Sequence, residues 1–271
     1  MEQGTKRPCV KAAVFDIDGT LLPAGQAALP SRVCRALAAL QAKGVPVIVA
    51  TGRAPFAARL ALGAAKPDYL VSCTGCLVQD KAGAVQEALR MTEEEMYALV
   101  DFCEDYELPL DFVFEDGYYV YVEYQRMMCA SHAPGVEDFL KDGEDQVRHL
   151  QGMPYAACVY APEARLFQFT EKYGHLGLRF LPFAHGRDKF DVVCADADKA
   201  AAVGRLLERL GISWAETAAF GDGENDERLL AAAGVPVAME NGWERLKTPG
   251  RFVAPPCAEA GVAVWLEKYV L

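Results

Sequence analysis

Two hydrophobic patterns alternate over the first 75 residues and again after residue 190. Short, nearly unbroken apolar runs at 10–15, 46–50, 69–72, 217–220 and 235–238 have strand length and no polar face. Between them apolar residues recur at helical spacing. Val33, Leu37 and Leu40, with intervening alanines, mark a helix at 31–43, and others follow at 55–62, 199–210, 226–233 and 261–269. Ser31 stands where a helix cap is expected, and Gly44 where a C′ glycine belongs. Strands without a polar face are covered on both sides, and their alternation with helices implies a parallel sheet. The pattern predicts an α/β fold with a doubly wound, Rossmann-like core.

The middle of the chain follows another rhythm. Thr92-Glu93-Glu94-Glu95 is a capping-box pattern that opens a helix reaching about Tyr106. Strands at 109–114 and 118–124 are joined across Asp116-Gly117, a hairpin turn signal. A short helix near 136–141 and a polar loop at 141–152 come next. A strand at 155–160, a helix at 162–173 and strands at 178–183 and 189–193 complete the region. This reads as a two-layer α+β unit inserted into the core. The expected division is a core of 1–85 and 192–271 and a cap of 86–191. Period-two alternation puts Tyr119, Tyr121 and Glu123 on one face of a cap strand, and Tyr118, Val120, Val122 and Tyr124 on the other. One face packs on cap helices, and Tyr119 or Tyr121 is a candidate contact to a ligand.

Composition narrows the class. The 271 residues are 52% hydrophobic and 24% charged, proportions of a globular chain long enough to bury a sizeable core. There are 27 Lys and Arg against 38 Asp and Glu, a net charge of −11. Such a chain lacks the cations that general binding to nucleic acid or to an anionic membrane surface needs. No apolar run reaches the roughly 18 residues of a membrane-spanning helix, and the polar start lacks a signal-peptide core, so the expected location is cytoplasmic. Nine cysteines in a chain of this size read as reduced thiols. Cys73-Thr74-Gly75-Cys76 is a C-x-x-C, yet strand-like Leu77-Val78 follows it where a redox pair would open a helix. His132, His149, His175 and His185 show no ligand spacing and read as surface or cap residues.

In open parallel sheets ligands bind beyond the carboxyl ends of the strands. Asp16-Ile17-Asp18-Gly19-Thr20 follows the first strand, and Thr51-Gly52-Arg53 the second. Asp198-Lys199 opens the helix after the middle region, and Gly221-Asp222-Gly223-Glu224-Asn225-Asp226 ends a later strand. Asp16, Asp18, Asp222 and Asp226 thus converge on one edge with a lysine and a hydroxyl. Crowded carboxylates call for a cation, and oxygen ligands without His or Cys select a hard one, Mg²⁺. A carboxylate–Mg²⁺ site beside Lys and Thr suits a phosphoryl group, and a spare carboxylate there can attack phosphorus.

These motifs, in this order, resemble the haloacid dehalogenase-like superfamily, and the segments at 237–242 and 259–263 resemble its Cof-type members with a type IIB cap. The resemblance implies a phosphatase acting on a small phosphorylated metabolite: a sugar phosphate, a nucleotide or a vitamin phosphate. It implies Asp16 as nucleophile and Asp18 as acid and base. Asp16, the Asp18 backbone carbonyl and Asp222 would hold Mg²⁺. Thr51, the Gly52 N–H, Lys199 and Asn225 would bind phosphoryl oxygens, while Asp226 would orient Lys199 or stand behind the metal. A phosphomutase or phosphotransferase, or a silent phosphate-ligand-binding protein, are the alternatives on the same fold. The chain is expected as a monomer or weak homodimer. Two departures from the Cof pattern, Thr74-Gly75 for Asn-Gly and Met239-Glu240-Asn241-Gly242 for Met-Gly-Asn-Ala, touch substrate contacts more than the chemistry.

Overall fold

The computed structural model describes residues 8–130, 135–183 and 188–271. His132 and His185 lie outside the described residues. The chain opens with β1 (Ala12–Phe15), α1 (Ser31–Ala42), β2 (Val47–Ala50), α2 (Pro55–Leu62), β3 (Tyr69–Ser72), β4 (Leu77–Asp80) and β5 (Val85–Ala88). Then come α3 (Glu93–Asp105), β6 (Leu110–Val113), β7 (Tyr118–Val122), α4 (Tyr124–Met128), β8 (Leu140–Asp142), β9 (Ala156–Tyr160), α5 (Glu163–Tyr173), β10 (Arg179–Pro182) and β11 (Lys189–Val193). It closes with α6 (Lys199–Leu210), β12 (Thr217–Gly221), α7 (Glu227–Ala232), β13 (Val235–Met239), β14 (Phe252–Ala254) and α8 (Gly261–Tyr269).

The first sheet has the order β14-β13-β12-β1-β2-β3-β4-β5. Neighbours from β14 to β3 are parallel, and β4 and β5 extend the edge as an antiparallel hairpin. The order runs outward both ways from β1, the arrangement that opens a crevice at the strand ends. Every residue of β1 is 0% exposed, because both faces are covered. On one side Phe15 and Phe220 pack with Leu37 and Leu40 of α1 and Trp265 and Leu266 of α8. On the other, Val14, Ile48 and Ala219 pack with Val203, Leu206 and Leu207 of α6 and Leu229 and Leu230 of α7.

The second sheet has the order β10-β11-β9-β6-β7-β8 and is antiparallel except for β7 with β8. Its Leu110, Phe112, Phe114 and Tyr121 pack with Leu99 and Phe102 of α3 and Leu166 and Phe169 of α5. The Thr92 capping box is formed in both directions, Glu95 N–H to Thr92 Oγ1 at 3.2 Å and Thr92 N–H to Glu95 Oε2 at 2.7 Å. The opposite face meets the first sheet. Val113, Ala156 and Val193 share a cluster with Ala54, Phe56 and Cys73, and Tyr118 sits edge-on to Phe56 at 4.7 Å.

Several local expectations change. Ser31 is not the cap of α1; Pro30 holds that position and Ser31 is the first helical residue. The β4–β5 hairpin escapes the pattern because β5, Val-Gln-Glu-Ala, is an edge strand with little burial. Its Glu87 instead accepts from Arg205 and Arg209 of α6. The strand expected to reach Tyr124 ends at Val122, since Glu123 turns left-handed (φ 60°) and starts α4. The helix expected near 136–141 is a single 3₁₀ turn, Glu137–Phe139, and the loop expected after it begins with β8. A three-residue strand carrying Lys141 and Asp142 has no alternation to reveal it. The helix expected at 226–233 starts as a 3₁₀ turn over Glu224–Asp226 and becomes α7. Tyr119 and Tyr121 pack toward α3 and α5, so the ring turned to the first sheet is that of Tyr118.

Among the described residues no helix is long and apolar enough to cross a membrane. The nine cysteines are all free, five of them buried.

Candidate active site

The carboxyl ends of β1, β2, β12 and the N-terminus of α6 bring the sequence-predicted residues to one edge. Asp16 follows β1 directly and is 6% exposed. Lys199, the first residue of α6, is 2% exposed. Asp198 caps that helix by accepting from Ala201 N–H at 2.7 Å, which fixes where Lys199 leaves the backbone. Lys199 Nζ donates to Asp16 Oδ1 at 2.6 Å and to Asp226 Oδ1 at 3.0 Å. The second Asp226 oxygen accepts from the Asp222 and Gly223 N–H groups, each at 3.1 Å. Asp226 is therefore occupied on both oxygens and fixes Lys199 and the turn after β12.

Burial of Asp16 raises its pKa well above the ordinary carboxylate range, with Asp226 and Asp222 adding to the rise and Lys199 opposing it. Lys199 is desolvated too, but its two carboxylate partners win and raise its pKa. Asp222 is pushed up to about 6, first by burial, against the Thr20 hydroxyl that donates to its Oδ1 at 2.8 Å.

Asp18 lies at the mouth. Its carboxylate takes a two-pronged contact from Arg53, Nε to Oδ2 at 2.8 Å and Nη2 to Oδ1 at 2.6 Å, and its side chain is 59% exposed. Thr51 is buried, and its hydroxyl accepts from Arg53 N–H at 3.2 Å. A methyl group placed on Gly52 would make ordinary contacts, 3.6 Å from Thr74 Oγ1 and 3.8 Å from Asp191 Oδ2. Asn225 is exposed at the rim in the turn before α7.

Two glycines are required sterically. Gly19 has φ +78°, and a Cβ there would fall 2.1 Å from Asp222 Oδ2. Gly75 has φ +102°, and a Cβ there would meet the Asp198 backbone oxygen at 2.5 Å. Beside it Thr74 is left-handed at φ 57°, ψ 27°. That conformation costs a β-branched residue about 1–2 kcal/mol, and Asn, usual at this place in the Cof pattern, bears it more easily. The N–H groups of Cys73 and Thr74, bonded to the Arg53 and Thr51 carbonyls at 2.9 and 3.0 Å, hold the turn.

Three residues outside the expected site shape it. Thr20 orients Asp222. Asn241 ties two loops together, donating to the Gly19 carbonyl at 2.8 Å and accepting from Cys257 N–H at 2.7 Å. Asp191, from β11 of the second sheet, reaches the Gly52 region. Its sequence signal is an acid inside the apolar run Phe190-Asp191-Val192-Val193.

Carboxylate oxygens of Asp16, Asp222 and Asp226 lie within 4.8 Å of one another. Since Asp226 is spent on Lys199 and the backbone, the oxygens left for a cation are those of Asp16 and Asp222. An all-oxygen donor set with crowded negative charge fits Mg²⁺.

The haloacid dehalogenase-like hydrolase family model matches residues 13–266. Among similar proteins is the phosphatase YwpJ of Bacillus subtilis, 26% identical over 288 residues, covering 94% of this chain and 98% of that one. The HMP-PP phosphatase of Serratia proteamaculans is 25% identical over 270 residues, covering 96% and 95%. The chain spans 54% of the length of a longer Streptococcus pyogenes relative, at 25% identity. A solved subclass IIB sugar phosphatase superposes with a TM-score of 0.74 at 23% identity, covering 96% of this chain and 99% of that one. Motif order, sheet topology and a match over nearly the whole length agree, and the chain belongs to the haloacid dehalogenase-like hydrolases.

Proposed function

We propose that the chain is a Mg²⁺-dependent phosphatase that hydrolyses a small phosphorylated metabolite through an aspartyl-phosphate on Asp16. The observation that carries this reading is the buried Lys199 bridging Asp16 and Asp226. It fixes one oxygen of Asp16 while the other has no hydrogen bond from the described residues. Asp16 Oδ2 attacks phosphorus and the bond to the alcohol oxygen breaks, with Asp18 giving that oxygen a proton. Asp18 then takes a proton from water. The water oxygen attacks phosphorus, the bond to Asp16 breaks, and inorganic phosphate leaves. For both steps Asp18 exchanges its Arg53 partner for the reacting oxygen, a move its exposed position allows.

Thr51, the Gly52 N–H, Lys199 and Asn225 are assigned to the phosphoryl oxygens. Asp16, the Asp18 carbonyl and Asp222 are assigned to Mg²⁺, which would neutralise phosphoryl charge and hold the nucleophile in line. The division of labour is read as a catalytic unit of 1–85 and 192–271 and a cap of 86–191 that covers the substrate, with β5 of the first sheet running three residues past the first boundary and β11 of the second sheet two past the other. A cytoplasmic setting, where phosphorylated metabolites and Mg²⁺ are found, accords with this reading. The test is phosphate release from p-nitrophenyl phosphate. Activity should vanish with a strong chelator, return with Mg²⁺ and be poor with Ca²⁺, whose looser shell does not fix the attacking carboxylate. Full activity of metal-free protein would end the proposal.

A further inference from the structure

The face that the second sheet turns toward Gly52 is apolar at its margin and acidic in its middle. Asp111 of β6 and Asp191 of β11 both stand opposite Cys158 of β9. They therefore point to the same side of the sheet, two strand spacings or roughly 10 Å apart. Asp191 reaches the phosphoryl site, its Oδ2 lying 3.8 Å from a methyl group placed on Gly52. Asp111 lies deeper. It is 4% exposed, and its Oδ1 has no hydrogen-bond partner among the described residues. The Tyr160 hydroxyl, on the same face as Cys158, is likewise buried and unpartnered. Lys189, also on this face, lies over the rings of Tyr160 and Phe183 at 4.8 and 4.5 Å.

Buried polar groups are almost always paired, so two unpaired oxygens on the face that carries Asp191 need an explanation. Burial pushes Asp111 up to about 8 and Asp191 up to about 7, with nearby Lys189 opposing both shifts. The fold thus keeps two acids whose charged forms burial disfavours and Lys189, among the described residues, restores only in part. A ligand that brings donors would favour those forms.

We propose that Asp111, Asp191 and the Tyr160 hydroxyl form the subsite for the alcohol half of the substrate, selecting phosphate monoesters whose alcohol donates several hydrogen bonds. The inference rests on the phosphatase reading above and deepens it. Sugar or polyol hydroxyls and a protonated amine share the required chemistry. A second phosphate or a carboxylate at that end is rejected, because it would be desolvated against two acids. A site built to accept hydrogen bonds discriminates strongly against analogues without donors, which leave its polar groups unpaired.

The experiment measures kcat/KM, with Mg²⁺, for glycerol phosphate, hexose 6-phosphates, phosphoethanolamine, 3-phosphoglycerate, hexose bisphosphates and p-nitrophenyl phosphate. The wild type is expected to take the polyol or the ammonium ester at least about 10-fold better than the carboxylated and bisphosphorylated ones. The ratio of phosphoethanolamine to polyol phosphates tells which donor the site reads. Asp111→Leu and Asp191→Leu should each lower kcat/KM for the best donor-bearing ester by about 10²-fold. For p-nitrophenyl phosphate, which offers no donors, Asp111→Leu, remote from Gly52, should change it by less than about threefold. That substrate also reports that the variants are folded, and Asp111→Asn and Asp191→Asn serve where the leucine variants are not. A preference for 3-phosphoglycerate or a bisphosphate, or an equal loss on p-nitrophenyl phosphate and on the best ester, would overturn the proposal. A wild type that releases phosphate from no ester would overturn the phosphatase reading itself, and the subsite with it.

Discussion

The two sides of the reaction site hold their acids differently. On the core side every buried charge is answered. Asp16 has Lys199, Lys199 has two carboxylates, Asp226 uses both oxygens, and Asp222 is held by Thr20. On the cap side the buried Asp111 Oδ1 and the Tyr160 hydroxyl have no hydrogen-bond partner among the described residues. The chemistry of phosphoryl transfer is the same for every ester, so its groups are locked by partners within the chain. The alcohol differs from one ester to another, so the groups that would read it are left for the substrate to satisfy, at a cost to the stability of the free protein.

The sharpest way to break this comparison is at the nucleophile. Asp16→Asn keeps the shape and removes the charge, and activity on p-nitrophenyl phosphate should fall by at least about 10³-fold. Asp18→Asn should lose less with that acidic leaving group, and acid-quenched protein should carry phosphate on the peptide containing Asp16. Phosphate found elsewhere, or near-normal activity of Asp16→Asn, would remove Asp16 from its role.

Stability separates the two sides next. Lys199→Met leaves Asp16 and Asp226 buried without their cation, which typically costs about 3–5 kcal/mol. Denaturant unfolding of this variant should show a loss of that order. An unchanged midpoint would mean that the core side is not held together by this pair of contacts.

The last effect has the opposite sign. Asp111 titrates near its ordinary value of 3.8 when unfolded and at about 8 when folded. The folded state therefore binds more protons between those values. The contribution of Asp111 is fully present below about pH 4 and is lost as pH rises through about 8. Asp111→Asn removes that loss. The variant should match the wild type near pH 4 and gain on it steadily as pH rises toward 8. Melting temperatures across this range check it, and a difference that does not grow with pH would show that Asp111 is paired after all.

How much of this was legible in the chain depends on whether the signal was local. The strands and helices of the core could be read because strands covered on both faces are continuously apolar and helices carry period-3.6 stripes. Their order put Asp16, Thr51, Lys199 and Asp222 at strand and helix ends, and so at one edge. The Thr92 capping box could be read because its partners are three residues apart. The β4–β5 hairpin and β8 were hidden, since a short or exposed edge strand has no hydrophobic signature. The exposure of Tyr118 rather than Tyr119 or Tyr121 toward the core was hidden as well. Alternation says which rings share a face and not which neighbour that face meets.

The sequence by itself determined the residue types of the catalytic edge, their order and the α/β frame, because each is written in contiguous motifs and periodicities. Only the tertiary structure decided that Lys199 bridges Asp16 and Asp226, that Asn241 ties two loops, and that Asp111 and Asp191 share a face across Cys158. Those relations join residues that are far apart in the chain, and they depend on strand register and on the approach of one sheet to the other. No local pattern encodes either.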